Sequence, residues 1–460
     1  MIMRNSVQKL LLKSLTCENE YINSVSEILS FVEEKNTSTK VKIVSTTLSK
    51  CGNWFLSKDG IIRNKDNTFF SIQGLEYQKE NNVIQQPIII QNEIGFLGII
   101  TKEIEGNLYF LMQAKIEPGN LNKIQISPTI QATKSNFLQS HGGKKPKYLE
   151  YFINAKDHEI IVDQLQSEQS SRFLKKRNRN VIIKIEEEIK VYDSHIWISL
   201  YQLKQLLKID NLVNMDTRTV ISCIPFHRIN REILEEFSIS DNFITNSIFG
   251  SKNIDEINLV WNKLNDIKMF NEAKTQLLSL YDLKDLQIDE SAIYSIKKSP
   301  FSIIFCYIEI EGREVTKWSQ PLLKAFGKAI FGLITAKIDG KLKALVKFKE
   351  EVGNFDVVEL GPSIQIEATD EIHPNSLEDY FMDKINNKEY IKYDVFLSEE
   401  GGRFYHEENR NIIIEINHNE LSVLSENYLW LDLNTIMHFM EINNIVNIQL
   451  RNVLSLMEIN

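Results

Sequence analysis

Cysteine is scarce and scattered in this chain of 460 residues. Cys17, Cys51, Cys223 and Cys306 stand singly, with no CxxC pair and no Cys/His spacing. Neither a disulfide framework nor a structural zinc site is expected, and the thiols read as buried and free. Also missing is any apolar run of the roughly 18 to 20 residues that a membrane span needs. The opening, MIMRNSVQKLLLKSL, lacks a signal-peptide cleavage pattern, so a cytoplasmic protein is expected. Positive charge is outnumbered: 62 acidic against 53 basic residues leave a net charge of -9, which disfavours nonspecific nucleic-acid or membrane binding. Any basic site must therefore be local. There is no GxGxxG after a strand, no Walker loop, no GxSxG elbow and no HExxH. Nicotinamide, P-loop, serine-hydrolase and zinc-protease readings lose support accordingly, and no metal ligand set is expected.

What the chain does contain is itself, twice. GNLYFLMQAKIEPGNLNKIQISPTIQ at 106–131 recurs as GKLKALVKFKEEVGNFDVVELGPSIQ at 340–365, and ten of the twenty-six pairs are identical, Lys115/Lys349, Glu117/Glu351, Gly119/Gly353, Asn120/Asn354 and Gln131/Gln365 among them. Unrelated segments would share about one or two, so the long-period match decides the architecture. SEQSSRFLKKRNRNVIIKI at 167–185 answers SEEGGRFYHEENRNIIIEI at 398–416, Trp197 answers Trp430, and Arg218 answers Arg451. Two units are expected, 1–228 and 229–460. No Gly/Ser/Pro linker separates them, so they should pack together.

Within each unit, SVSEILSFVEEK near 24 and DEINLVWNKLND near 255 place apolar residues at helical spacing. FFSIQGLEY, GFLGIITKEI, NLYFLMQAKI and NKIQISPTIQAT read as strands, with Gly106 in a hairpin turn. SLYQLKQLLK at 199 reads as a helix capped by Ser199, and its partner starts at Asp432. Strands in the middle and helices at the ends predict α+β units with a mixed or antiparallel sheet.

Two polar blocks stand out. The first holds Gln113, Lys115, Glu117 and Asn120, then Ser127, Thr129, Gln131, Thr133, Ser135 and Asn136, then His141, Gly142 and Gly143. Alternation would set Ser127, Thr129, Gln131 and Thr133 on one strand face, suited to a ligand cleft, although such faces are more often simply solvated. Retention of Pro362, Ser363 and Gln365 in the second unit favours the cleft. The second block, Arg172, Lys175, Lys176, Arg177, Asn178, Arg179 and Asn180, is a cation cluster suited to a diphosphate, with a solvated basic turn as the ordinary reading. In the second unit it thins to Arg403, Asn409, Arg410 and Asn411, with Glu407 and Glu408 replacing Lys176 and Arg177. The first unit therefore reads as the better-equipped site.

QAKIEPGN, SPTIQATKSN, HGG, LEYF and SEQ..RF.KKRNRN, followed by KWSQPLL, LGPSIQ and RF...NRN in the second half, closely resemble the NDP-hexose 2,3-dehydratases of deoxysugar biosynthesis over nearly the whole chain. Two departures are Ser170, where the family usually has glycine, and Val352 in place of proline. The resemblance implies two tandem Nudix-like α+β repeats, a homodimer, a dTDP-4-keto-6-deoxyhexose substrate, no essential redox cofactor, and a downstream NDP-hexose 3-ketoreductase that takes the product. It also implies that Trp54 and Trp318 occupy aromatic positions of the family, where they could stack on thymine or cover a sugar; core packing is the equal alternative.

That chemistry needs a base for the C3 proton, donors for the enolate oxygen and an acid for the leaving hydroxide. His141 is the first candidate for proton transfer and Glu117 the second, with Lys115 or Tyr151 to stabilise the enolate or protonate the leaving group. Each has a plainer reading: a loop histidine, a Lys115–Glu117 ion pair, a core tyrosine. Asn120, Ser127, Thr129, Gln131, Thr133, Ser135, Asn136, Arg172, Lys176, Arg177, Asn178 and Arg179 complete the expected substrate site, and Trp318, Ser363, Gln365, Arg403, Asn409 and Arg410 the second-repeat ligand site. The competing functions are a Nudix-type diphosphate hydrolase, for which the acids of IEEEIK lack the required pattern, and a catalytically silent nucleotide-sugar binder.

Overall fold

The computed structural model of the chain describes residues 3–18, 21–67, 69–133, 145–237, 239, 242–295, 300–313, 315–421 and 424–459. The helices expected at the head of each repeat are present. Val25–Ser38 starts from a capping box between Ser24 and Glu27, and Ile254–Met269 starts from Asn253, whose side chain accepts from the Glu256 N–H. The closing helix Leu200–Leu206 is capped by Ser199 and Gln202, as its sequence predicts. Its counterpart Leu433–Met440 begins after Asp432, but that carboxylate does not cap; it pairs with Lys341 and Lys343 instead.

A seven-stranded mixed sheet forms the centre of each repeat. In the first, the order is Glu159–Ser167, Arg177–Ile185, Gly95–Ile104, Asn107–Ile116, His195–Ser199, and the second repeats it with Ile391–Ser398, Glu408–Ile416, Ile330–Ile338, Lys341–Glu350 and Tyr428–Asp432. One pair in each runs parallel: Arg177–Ile185 with Gly95–Ile104, and Glu408–Ile416 with Ile330–Ile338. The central hairpins turn on Glu105-Gly106 and Asp339-Gly340, both residues of each turn at positive φ, which matches the twist of the flanking strands.

NKIQISPTIQAT is not one strand. Pro128 has no N–H to give a ladder, and the run divides around it: Ile124–Ser127 pairs with Asn107–Ile116, while Ile130–Ala132 pairs with Gly95–Ile104. The single polar face expected for Ser127, Thr129, Gln131 and Thr133 is therefore broken.

Each repeat also carries a five-stranded sheet, and these two sheets exchange their first strands. Val41–Thr46, from the first repeat, lies antiparallel to Phe301–Ile310 of the second; Lys274–Leu278, from the second, lies antiparallel to Ser71–Lys79 of the first. Beneath them a shared core joins Trp54, Phe70 and Phe173 to Phe301, Phe305 and Phe404. A larger core runs between the repeats and includes Leu203 and Leu206 of one closing helix with Ile436 and Phe439 of the other. Two buried arginines, matched in sequence, lock the halves reciprocally. Arg218 donates to the carbonyls of Val213 (2.6 Å) and Ser398 (2.6 Å), and Arg451 to those of Val446 (2.5 Å) and Ser167 (2.5 Å). The thiols of Cys51, Cys223 and Cys306 are buried and that of Cys17 partly so, all free. No helix among the described residues is long and apolar enough to cross a membrane.

Candidate active site

Lys115 lies near the end of the strand Asn107–Ile116 and Glu117 just past it, and the two side chains meet. Lys115 Nζ donates to Glu117 Oε1 at 3.1 Å, and Gln131 Nε2 donates to the same oxygen at 2.9 Å. Asn120 folds the following loop by donating to the Lys123 carbonyl (2.8 Å). The cradle so formed is closed by the other repeat. Gly119 N–H donates to the Gly401 carbonyl (2.6 Å), and the Gly119 carbonyl accepts from His406 N–H (2.8 Å). A Cβ on Gly119 would lie 1.5 Å from the Phe404 carbonyl oxygen, so only glycine allows this approach.

The closing loop brings Arg403 with it. Its guanidinium lies 4.4 Å over the Phe70 ring, which in turn packs 4.7 Å from Trp54, and its Nη2 reaches Gln91 Oε1 at 3.3 Å. Gln320 holds the loop by donating to the Gly402 carbonyl (2.7 Å) and is itself held by the Trp318 indole (2.8 Å). Burial pushes the Glu117 pKa up, but Lys115, Arg313 and Arg403 outweigh it and keep the carboxylate below its ordinary value. Gln131 Oε1 and Arg403 Nε are buried with no hydrogen-bond partner among the described residues. An acceptor and a donor so placed can serve a polar ligand.

The second cradle repeats the framework with different charges. Gln365 donates to Glu351 Oε1 (2.7 Å), and its own Oε1 accepts from Asn447 (3.3 Å). Gly353 N–H donates to the Ser170 carbonyl (2.9 Å), and Lys175 N–H donates to the Gly353 carbonyl (2.7 Å). Arg172, 1% exposed, here meets Glu367 at 2.9 Å, the residue that stands where the first cradle has Thr133. Glu407 stands where the first has Lys176. Burial raises Glu351, and raises Glu407 to about 8.

Loops that cross between the repeats thus redistribute the expected site residues. Arg172, placed by the sequence reading at the first site, serves the second cradle; Arg403 and Trp318, placed at the second, serve the first. Sequence shows which repeat a residue belongs to, not which repeat its loop caps. Thr129 and Ser363 are buried and tied to backbone, each donating at 2.5 Å to Leu111 and Leu345 carbonyls respectively. Ser127 is buried and donates to the Gln125 carbonyl (3.3 Å). Asn178 and Asn409 hold the buried carboxylates of Glu168 (2.6 Å) and Glu399 (2.7 Å). Arg179 and Arg410 form bidentate surface pairs with Asp163 and Asp394, away from the cradles. Arg177 lies 4.0 Å over the Phe355 ring.

Lys176 does face the first cradle, donating to the Glu93 carbonyl, and burial lowers its pKa to about 8. Thr133 is half-buried just past the strand Ile130–Ala132. Tyr151 sits half-buried on the short helix Leu149–Ile153, 6.0 Å from the His158 ring and 6.3 Å from that of Tyr148. Ser135, Asn136 and His141 lie outside the described residues. Residues that sequence reasoning passed over are Gln91, Glu168, Asp216 and Glu400. Glu400 was visible as the acidic partner of Gln169 in the SEEGGRF/SEQSSRF alignment. His227, His438 and Glu441 have ligand atoms within 4.8 Å of one another and could hold a metal ion, but Arg228 already pairs with Glu441 there.

Comparison with known proteins supports a shared ancestry for these cradles. The family model described as NDP-hexose 2,3-dehydratase matches twice, over residues 25–224 and 258–457. A dTDP-4-dehydro-6-deoxy-alpha-D-glucopyranose 2,3-dehydratase of Saccharopolyspora spinosa is 34% identical over 408 residues, 85% of this chain and 82% of that one. One from Streptomyces violaceoruber is 33% identical over 434 residues, 92% of this chain and 94% of that one. A third, from Amycolatopsis orientalis, is 32% identical over 373 residues, 79% and 75% of the two chains. With both repeats matched and relatives aligned across most of their length, this chain belongs to the NDP-hexose 2,3-dehydratase family.

Proposed function

We propose that the chain catalyses the 2,3-dehydration of dTDP-4-keto-6-deoxy-D-glucose to a 3,4-diketo-2,6-dideoxyhexose nucleotide. The observation that carries the reading is the Lys115–Glu117–Gln131 cradle with its open Gln131 acceptor, capped by Arg403 of the second repeat. The C4 ketone acidifies the C3 proton, because the carbanion formed delocalises into an enolate. Loss of the C2 hydroxyl gives an enol, which tautomerises by taking a proton at C2. Water leaves and no electrons are exchanged.

For the C3 proton the chain offers Glu117, kept ionised by the surrounding cations, and His141 of the HGG motif. Lys115 and Gln131 both donate to Glu117 Oε1, and on this reading Oε2 takes the proton. Lys115, adjacent to it, is placed to stabilise a developing enolate oxygen. Arg403 and Lys176 are the cations suited to the diphosphate, Arg403 through its planar fork. On this reading the repeats are Nudix-like, the second cradle is a ligand-holding or vestigial site, and the enzyme acts as a cytoplasmic homodimeric lyase that passes its product to a 3-ketoreductase.

The test is incubation of the purified protein with dTDP-4-keto-6-deoxyglucose, a 3-ketoreductase and NADPH in deuterium oxide. A 2-deoxy product carrying deuterium at C2 is expected. Recovery of unchanged substrate without deuterium at C3 removes the dehydratase reading.

A further inference from the structure

We propose that Glu400, carried by the second repeat, is the acid that protonates the departing C2 hydroxyl at the first repeat's cradle. The assignment rests on the dehydratase reading and fills the acid role, to which that reading gives no residue. Its basis is the dovetail between the loops. The Gly401 carbonyl accepts from Gly119 N–H at 2.6 Å, and a Cβ on Gly401 would lie 2.9 Å from Glu117 Cβ and 2.1 Å from Asn120 Oδ1. The residue before Gly401 is thereby fixed beside Glu117. Glu400 Oε1 accepts from Gly402 N–H at 2.9 Å, so the carboxyl is held by its own loop, and no ion pair engages it among the described residues.

Three carboxyls near Glu117 are held above their usual range: Glu168, Asp216 and Glu400, each chiefly by burial. Glu168 is 4% exposed and pinned by Asn178, and Asp216 is 2% exposed on the helix Met215–Ser222. Glu400 is half-buried, so of the three it can be reprotonated from solvent after each turnover. Burial and the Glu117 charge raise it to about 7, while Glu117 itself stays low; two neighbouring carboxyls driven apart in this way divide acid from base. The corresponding residue at the second cradle is Gln169, buried and unable to transfer a proton.

The step balances. As the enolate electrons form the C2=C3 bond, the C2–O bond breaks with its pair on oxygen. The Glu400 proton goes to that oxygen, water leaves, and the Glu400 carboxylate takes a proton from solvent.

Glu400→Gln in the full chain, assayed in deuterium oxide, separates the two proton transfers. Product formation is expected to fall about 10²- to 10⁴-fold, the usual contribution of a general acid. Deuterium wash-in at C3 of recovered substrate should stay within a few-fold of the unmodified protein. Glu400→Asp, for the case that the amide variant fails to fold, should lose about tenfold in product with exchange again retained, a small retreat of a positioned acid. Equal loss of exchange and product in the folded variant, or product at the unmodified rate, overturns the assignment. Absence of both exchange and product in the unmodified protein instead overturns the dehydratase reading, and the acid assignment with it.

Discussion

The two cradles share a lysine, a glutamate, a glutamine and a glycine-bearing loop, yet their central carboxyls are driven in opposite directions. Burial opposes ionisation in both. Around Glu117 the cations Lys115, Arg313 and Arg403 prevail, whereas around Glu351 the neighbouring Glu367 adds to the burial and the proton is held more tightly. The arginine that caps each loop has also met a different fate. Arg403 lies over the Phe70 ring and reaches the neutral Gln91, while Arg172 lies over the Phe301 ring and is engaged by the Glu367 carboxylate. Shared framework and divergent charge teach that the fold of a repeat can be kept while its electrostatics change, because the backbone dovetail and the side-chain charges rest on different atoms.

Breaking the comparison most sharply is a matched pair of substitutions. Glu117→Gln is expected to lower turnover about 10²- to 10⁴-fold in the reductase-coupled assay, and Glu351→Gln to change it less than about threefold. Equal losses would mean that both cradles react. The next effect is on stability. Arg172→Ala leaves Glu367 and Glu407 facing each other in a buried site, so a loss of about 3–5 kcal/mol is expected, read as a lower denaturant midpoint.

The smallest effect is pH-dependent. Glu407 holds its proton to about 8 in the folded chain against 4.5 for the free group. Between those values the folded state binds the extra proton, so this carboxyl's contribution to stability is complete below pH 4.5 and is lost as pH rises toward 8. Glu407→Gln should therefore raise the melting temperature at pH 8.5 relative to the unmodified protein, with a smaller difference at pH 5.5.

The repeat, the opening helices, the central hairpin and the capped helix at Ser199 were all legible in the sequence, because each is written locally: in identity at fixed spacing, in periodicity, in a glycine or a cap. Which sheet Val41–Thr46 joins was not, since an alternating strand carries no mark of its partner. Nor is it written in the sequence which cradle a loop crosses to cap, and that crossing sets Arg172 at the second cradle and Arg403 at the first. Lys115, Glu117 and Gln131 were found because they recur in both copies, and the structure brings them into contact. Arg179 and Arg410 also recur, for a different reason: each neutralises an aspartate on the adjoining strand. Recurrence marks what the fold keeps, and the fold keeps surface pairs as readily as sites.

The exchanged strands have an evolutionary consequence. Two copies of a one-repeat ancestor that dimerised by trading their first strands would show the same pairing, with each subunit's loop completing its neighbour's cleft. Joining such subunits end to end frees them from identity. A homodimer must mutate both clefts at once, but a fused pair can spend one cleft on catalysis and let the other drift, so long as the borrowed strand and loop still fit. Glu400 would be the inheritance of that arrangement: a residue that travels in one gene half and works in the other.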